Sequence, residues 1–394
     1  MKNKLFSVVD QGVFSGTNFV LLFVLSLAMD IKSYGEFSIL LSLIALFQTI
    51  INSLVIEHLF VNRSCLNLFD AYKEIIFLWM LANVFFVFVI DWDSEILSDI
   101  FFVVFGWGIS GIWLARRYFM SKGLGKYALL VSALYLIVIG ALVLAVYSFD
   151  IQSFIVPVYF CVIAIFSILV CVFMVKNENS TIENSDSFFV RFKRDGFVFL
   201  LLSIVGWYPL NSIFVYWSSY GSVEDLGRFK IYLNFILPLM TLNILILLML
   251  MKKVSTTVDN IRGCILEFYS YGFVINIVYM VLVWLALDCF KLFNVFYDND
   301  VDFYYLLKLA GVAIFAFSLQ FVLYSVKAVG GFYNFCLVMS FGSLMSYLVD
   351  LFFLLPGSEG VSPVDIAIYN YLFLLGCCMV YVFVLRVGCC RYFK

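Results

Sequence analysis

The chain has 394 residues, of which 64% are apolar and only 13% are charged, and its net charge is −2. A soluble domain is typically about 45–50% apolar and about 25% charged. The composition therefore excludes a soluble enzyme, a secreted domain and a disordered chain. It also excludes nucleic acid as a partner bound through a basic face. These values are typical of an integral membrane protein.

Twelve apolar stretches are long enough, or nearly so, to cross a membrane as helices, which takes about 20 residues each. None shows the alternation of a barrel strand, so the predicted fold class is all-α. The predicted spans are 8–29, 37–60, 75–90, 100–119, 127–147 and 154–175 in the first half, and 197–219, 229–251, 265–287, 303–325, 332–355 and 365–386 in the second.

Basic residues predict the orientation, because positively charged loops stay in the cytoplasm. With a cytoplasmic N-terminus and twelve spans, nineteen basic residues fall on the inner side. Outer ends hold only four, Lys32, Arg228, Lys230 and Lys291, and one more, Lys308, lies inside the tenth span. Both termini are therefore predicted to be cytoplasmic.

One long polar insertion follows six predicted spans and precedes six more. We therefore predict an N-terminal six-helix bundle at 1–175, a cytoplasmic linker at 176–195 and a C-terminal six-helix bundle at 196–394. The halves echo each other: SYGEF (residues 33–37) opens the second span, and DLGRF (residues 225–229) opens the eighth, 192 residues later. This echo indicates a parallel internal repeat.

Polar side chains inside membrane spans are costly and commonly face a bundle interior or a wet cavity. In the first span Gln11, Ser15 and Asn18 share one helix face, and the spacing of Gly12 and Gly16 permits a close helix approach. The substrate-binding candidates are Asp10, Gln11, Ser15, Asn18, Thr49, Asn52, Arg63, Arg116, Arg117, Asn211, Asn234 and Lys308.

The ion-coupling candidates are Asp10, Glu57 and Asp350, the carboxylates in or near predicted spans. An alternative for all three is that they pair or reach water near a membrane face. For Lys308, six residues into its span, a role in binding an anionic headgroup and a purely structural role both stay open. Pro209 and Pro238 are able to kink their helices, and the alternative is that they are simply tolerated there.

Ten cysteines and the single histidine, His58, show neither a disulfide framework nor zinc spacing. No nucleophile–base pattern or glycine-rich phosphate loop is present. The sequence therefore predicts no enzyme activity, no metal and no cofactor.

The stretch DQGVFSGTNF (residues 10–19), followed by YGEF at 34–37, resembles the start of bacterial polysaccharide flippases of the Wzx type. These belong to the multidrug/oligosaccharidyl-lipid/polysaccharide exporter superfamily. LGRF at 226–229, with Asn234 and Pro238, is similar to the corresponding second-half segment. The resemblance implies a V-shaped pair of six-helix bundles around a cavity that opens alternately to either side.

The resemblance further implies the cargo, an undecaprenyl-diphosphate-linked oligosaccharide moved from the cytoplasmic to the periplasmic leaflet of the bacterial inner membrane. Such transport serves the biosynthesis of O-antigen, a part of lipopolysaccharide. The implied partners are this lipid-linked substrate, membrane lipids, a polysaccharide polymerase and a chain-length regulator.

Two other functions stay open. A drug or cation antiporter of the same superfamily would need carboxylates inside the membrane, and the candidates here are shallow. A membrane-embedded oligosaccharide polymerase would be expected to have a large outer loop, whereas the longest predicted outer loop, about 288–302, is short and acidic.

Overall fold

The computed structural model describes residues 2–56, 68–89, 96–149, 162–163, 165–167, 169–170, 196–217, 221–254, 261–290, 303–329, 333–351 and 362–389. All regular structure in these ranges is helical. The first helices are α1 (Lys2–Ala28), α2 (Ile31–Ile51, continued by a π-helical turn at Asn52–Ile56), α3 (Leu68–Val89), α4 (Ile96–Ser121) and α5 (Gly125–Phe149). The others are α6 (Phe197–Tyr216), α7 (Val223–Asn234), α8 (Leu237–Val254), α9 (Ile261–Phe290), α10 (Phe303–Val329), α11 (Tyr333–Val349) and α12 (Pro363–Cys389).

Seven stretches in the described residues are helical, long and apolar enough to cross a membrane, and they fall on predicted spans one, two, five, seven, nine, ten and twelve. The 30 residues of α9 extend about 45 Å at 1.5 Å per residue, which exceeds a hydrocarbon core of about 30 Å. Leu144 and Leu266 are 69% and 68% exposed. Such bare apolar surface fits contact with lipid. The twelve-span topology stays a prediction.

The chain divides into two compact units. The N-terminal unit comprises Met1–Met29 and Leu40–Ser203, and the C-terminal unit comprises Asp30–Ile39 and Ile204–Lys394. One boundary therefore falls inside the continuous helix α2, whose first two turns belong to the C-terminal unit. The predicted linker at 176–195 lies outside the described residues.

In the N-terminal unit α1 packs along α5, and α4 packs against both α3 and α5. The indole of Trp79 on α3 is buried and donates a hydrogen bond to Ser110 Oγ on α4 at 2.9 Å. A Cβ atom at Gly106 would overlap this ring. The close approach that Gly12 and Gly16 permit is not seen among the described residues, where no atom of another helix lies within 4 Å of a Cβ built at either glycine.

In the C-terminal unit α10 packs against α8, α9 and α12, and α11 packs on α12. Its buried core includes Leu247, Leu250, Cys264, Phe317 and Phe321. Close packing of α9 on α10 depends on the absence of a side chain at residue 272, a glycine, where a Cβ would meet the Phe317 ring.

The predicted eighth span, 229–251, is divided in the structure into two helices: α7 ends at Asn234, and α8 begins at Leu237. Pro238 has no N–H and so cannot donate to the carbonyl group four residues earlier. The next carbonyl oxygen along the chain, that of Phe235, accepts a hydrogen bond from the hydroxyl of Tyr279 on α9 at 2.9 Å. Pro209, by contrast, lies within α6, which continues on both sides of it.

Candidate functional site

A buried ion pair joins α1 to α4 inside the N-terminal unit. The Arg116 guanidinium donates from Nη2 to Asp10 Oδ2 at 2.7 Å and from Nε to Oδ1 at 3.2 Å. The hydroxyl of Ser132 on α5 donates to Asp10 Oδ1 at 2.6 Å, and Gln11 Oε1 accepts from Arg116 Nη2 at 2.9 Å. Asp10 and Arg116 are 0% and 1% exposed. The pair is neutral as a whole, so neither residue offers a net charge to a cargo.

Aromatic rings enclose this ion pair. The Arg116 guanidinium carbon lies 3.8 Å from the centroid of the Phe14 ring, and Phe14 in turn stacks on Tyr135 at 5.2 Å. The Tyr135 hydroxyl donates to Asn18 Oδ1 at 2.8 Å. On the polar face of α1 predicted from residue spacing, Gln11 therefore points towards α4 and Asn18 towards α5, and the side-chain oxygen of each accepts a hydrogen bond there.

A second buried carboxylate lies in the C-terminal unit, directly after α11. Asp350 is 1% exposed, and its Oδ2 accepts from the hydroxyls of Tyr208 at 3.0 Å and Tyr216 at 2.8 Å. The two tyrosines are eight residues apart on α6, about two helical turns, and so present their hydroxyls on one side. Within the described ranges no lysine or arginine is paired with this carboxylate.

Amide and hydroxyl groups extend the polar cluster around Asp350. One turn earlier on α11, the Ser346 hydroxyl donates to Asn370 Oδ1 on α12 at 2.6 Å. Both residues are buried, and the Nδ2 atom of Asn370 has no hydrogen-bond partner within the described part of the chain. The Tyr347 ring packs edge-on against Tyr216 at 5.9 Å. The cluster thus combines one carboxylate with neutral donors only.

Lys308, a substrate-binding candidate, is engaged by a carboxylate. Its Nζ lies 2.6 Å from Asp365 Oδ1 and 4.5 Å from the centre of the Tyr304 ring. Asp365 Oδ2 also accepts from the hydroxyl and the N–H of Ser362, which precedes α12. The bond from the Ser362 N–H to the Asp365 side chain is one half of a capping box, with aspartate in place of glutamate. The ammonium therefore stabilises the start of α12.

The remaining candidates are dispersed. Asn234 Nδ2 donates to the Tyr34 hydroxyl at 2.8 Å, and Asn211 Nδ2 donates to a carbonyl of its own helix, that of Trp207, at 3.1 Å. Ser15 is buried, and the remaining described candidates are partly buried: Asn18, Thr49, Asn52 and Arg117. Arg63 and Glu57 lie outside the described residues.

Several site residues were missed by sequence reasoning. Ser132, Tyr208 and Tyr216 bind the two buried carboxylates, yet tyrosines in apolar runs count as hydrophobic, and a single serine is common in a span. The available signal was the eight-residue spacing of the tyrosines. Asn276 was also missed, and it exchanges two hydrogen bonds with Asn243 at 2.8 and 3.1 Å.

In the described ranges no group of histidine, cysteine, aspartate and glutamate could hold a metal ion.

Comparisons with known proteins identify the fold. No protein-family model matches the chain, and no curated protein matches its sequence. Among solved structures, a complex of the MATE multidrug transporter DinF-BH is similar at a TM-score of 0.57, with 12% identity over 96% of this chain and 94% of that one. A MATE protein in complex with MaL6 is similar at 0.59, with 10% identity over 98% and 94%. The chain therefore shares the fold of MATE transporters.

Proposed function

We propose that the chain is an ion-coupled membrane exporter, not an enzyme, and that its cargo is a lipid-linked oligosaccharide. The observation that carries the cargo assignment is the buried pairing of Asp10 with Arg116. A cationic drug is bound best by a carboxylate without a cationic partner, so this pairing removes Asp10 from that role and leaves Asp350 as the buried carboxylate that could fill it. The Nε2 atom of Gln11 has no hydrogen-bond partner within the described residues, and amide and hydroxyl groups of this kind along α1, α4 and α5 match sugar hydroxyls as donors and acceptors.

The chemistry of the proposed cargo explains why it needs a transporter. A diphosphate and a chain of hydroxyl-bearing sugars cannot cross hydrocarbon unaided, because each loses its hydration without compensating hydrogen bonds. The resemblance of residues 10–19 and 34–37 to Wzx-type flippases supports the same cargo. The proposed site of action is the bacterial inner membrane, in O-antigen biosynthesis, with a polymerase and a chain-length regulator as partners.

We assign ion coupling to Asp350. Its carboxylate is buried, accepts from two neutral phenols and has no cation paired with it in the described ranges, so a proton or a small cation can neutralise it during the cycle. Asp10 is unsuitable for this role because Arg116 already neutralises it.

Cation-coupled drug export is the second candidate function. The two similar structures are of MATE proteins, one of them described as a multidrug transporter, and Asp350 could serve a cationic drug as well as a coupling ion. This function predicts extrusion of a cationic dye and no change in surface polysaccharide.

Deletion of the gene in the host separates the two functions. Loss of surface polysaccharide, with lipid-linked units facing the cytoplasm, supports the flippase; increased retention of dye with normal polysaccharide supports the antiporter. Complementation with Asp350→Asn tests coupling and should fail to restore export. Glu267→Gln is the matched control, because Glu267 is an exposed carboxylate in an exposed ion pair with Lys253 and should complement fully.

The proposed topology has twelve spans in two six-helix bundles with both termini in the cytoplasm. A reporter fused within 176–195 should be active only on the cytoplasmic side. A periplasmic signal there would contradict the six-plus-six arrangement without affecting the assignment of the buried groups.

A further inference from the structure

Lys230 on α7 is a cation without a counter-ion in the part of the chain that the structure describes. Two other buried or partly buried basic side chains each have a carboxylate, Arg116 that of Asp10 and Lys308 that of Asp365. No carboxylate of the described residues pairs with Lys230. The sequence indicated only that this lysine lies at an outer helix end.

The ammonium of Lys230 lies beside a buried aromatic ring. The side chain is partly buried, and its Nζ is 5.5 Å from the centre of the Phe214 ring on α6. Phe214 is 1% exposed and stacks on Phe229 of α7 at 5.5 Å. A lysine that served only to reach water at a membrane face would turn its ammonium away from such a ring.

The nearest amide on the same side of α7 does not accept from this ammonium. Asn234 follows Lys230 by four residues, about one helical turn. Its Nδ2 donates to the Tyr34 hydroxyl, and its Oδ1 has no hydrogen-bond partner among the described residues. The N–H groups of Lys230 are therefore available to a ligand.

A second donor lies one turn beyond Phe214. Trp217, directly after α6, is 5% exposed, and its indole Nε1 has no hydrogen-bond partner within the described ranges. A Cβ atom built at Gly221 would overlap this nitrogen, so the glycine leaves the N–H edge of the indole without a covering side chain. Phe214 thus neighbours both donors, Lys230 in space and Trp217 by a helical turn.

The chemistry of the two donors selects the ligand. A cation without a partner inside a membrane protein is costly and marks the path of an anion. An indole can only donate, as can an ammonium, and a ligand whose exposed atoms are all acceptors suits both. Phosphate oxygens meet this condition, and lysine binds them as a compact point charge. A sugar hydroxyl would bring a donor of its own.

We propose that Lys230 and Trp217 bind the diphosphate of the lipid-linked cargo. In the predicted topology Lys230 lies near the outer end of the eighth span, so the diphosphate reaches this site on its way to the periplasmic leaflet. The inference rests on the proposed function and deepens it: the C-terminal unit binds the charged part of the cargo, and the neutral groups of the N-terminal unit bind its sugars.

Binding of defined lipids to the full-length protein tests the site. The protein is placed in nanodiscs of phosphatidylcholine, which has no net charge, and the dissociation constant of undecaprenyl diphosphate is measured by microscale thermophoresis. Undecaprenol, which lacks phosphate, should bind about tenfold more weakly or worse. Phosphatidylglycerol at equal concentration should not displace the diphosphate, because it carries a single phosphate.

Substitutions at position 230 separate charge from packing. Lys230→Met and Lys230→Gln should each weaken binding of undecaprenyl diphosphate about tenfold or more, whereas Lys230→Arg should stay within about threefold of the native protein. Arg228→Gln is the matched control, since Arg228 is an exposed cation on the same helix, and it should leave the affinity unchanged. Trp217→Phe keeps a ring without the N–H and should weaken binding about threefold.

The outcomes are distinguishable. Native affinity in the folded neutral variants, even with a lowered thermal midpoint, makes Lys230 structural; this overturns the site and leaves the proposed function standing. Displacement by phosphatidylglycerol assigns the lysine to an ordinary phospholipid headgroup and also overturns the diphosphate assignment. Unchanged affinity in Trp217→Phe overturns the part given to the indole. Native protein that binds the diphosphate no better than undecaprenol contradicts the proposed cargo, and both proposals fail.

Discussion

Replacement of Arg116 by methionine should destabilise the N-terminal unit by about 3–5 kcal/mol, because it leaves a buried carboxylate without its cation. Arg116 gives Asp10 two hydrogen bonds, at 2.7 and 3.2 Å, and both side chains are almost fully buried. In the described structure the Ser132 hydroxyl, at 2.6 Å, would be the only remaining partner of the carboxylate. One neutral donor cannot offset the desolvation of a charge.

A double-mutant cycle isolates the pair from the packing. Apolar replacements of both partners of a buried ion pair are often neutral or stabilising, so Asp10→Leu with Arg116→Met should cost less than Arg116→Met alone. Arg117→Met is the matched control on the same helix. Arg117 is half-buried, with its guanidinium 5.2 Å from the Trp113 ring, and its replacement should cost about 1 kcal/mol or less.

Unfolding by denaturant in mild detergent, followed by tryptophan fluorescence, measures the four free energies. The reasoning is refuted if the double variant is as unstable as the sum of the single variants, since the residues would then be uncoupled. An Arg116→Met variant as stable as the native protein would refute it equally.

Three further predictions follow from other contacts. Tyr216→Phe removes one hydrogen bond to a buried carboxylate and should lower the free energy of unfolding by about 1.5–3 kcal/mol, measured by the same denaturation. Gly35→Ala should destabilise by about 1–3 kcal/mol through overpacking, whereas Gly140→Ala, with no described atom within 4 Å, should stabilise by up to about 1 kcal/mol. Lys308→Ala should reduce the thermal stability of the protein and leave export per folded molecule unchanged. Removal of Asp365 in the same variant should recover part of the lost stability. A loss of export without a loss of stability would restore a role of Lys308 in substrate binding.

The all-helical fold was predictable because length and apolar composition alone decide whether a segment can span a bilayer. The division of the eighth span was partly predictable, since Pro238 was recognised as a site of kinking but not as the cause of a helix break three residues earlier. The spacing of Gly12 and Gly16 permits a close helix approach, but whether one occurs depends on the neighbouring helix, which the spacing alone does not reveal.

The candidate site was less predictable than the fold. Asp10 and Arg116 were both selected as polar groups in spans, but their pairing joins residues 106 apart in the chain and depends on how α1 packs beside α4. Tyr208 and Tyr216 were counted as apolar residues, and their role appears only when Asp350 lies against α6. The repeat, in contrast, was visible as two short motifs, and in the structure these motifs contact each other: a Cβ at Gly35 would overlap the carbonyl oxygen of Val223, and a Cβ at Gly227 that of Ile31.

The two copies of the repeat contact each other reciprocally at Gly35 and Gly227, but their buried charges are not equivalent. The position 192 residues after Asp10 is Leu202, which is 1% exposed, so the second copy has no carboxylate there for a cation to neutralise. The buried carboxylate of the C-terminal unit comes instead after α11 and is bound by tyrosines. Asp10 is thus neutralised by Arg116 of its own unit, whereas Asp350 is bound by neutral phenols and is available to a mobile ion. We propose that Asp350 takes up the coupling ion within the C-terminal unit, and that the N-terminal unit serves the cargo through its neutral polar groups.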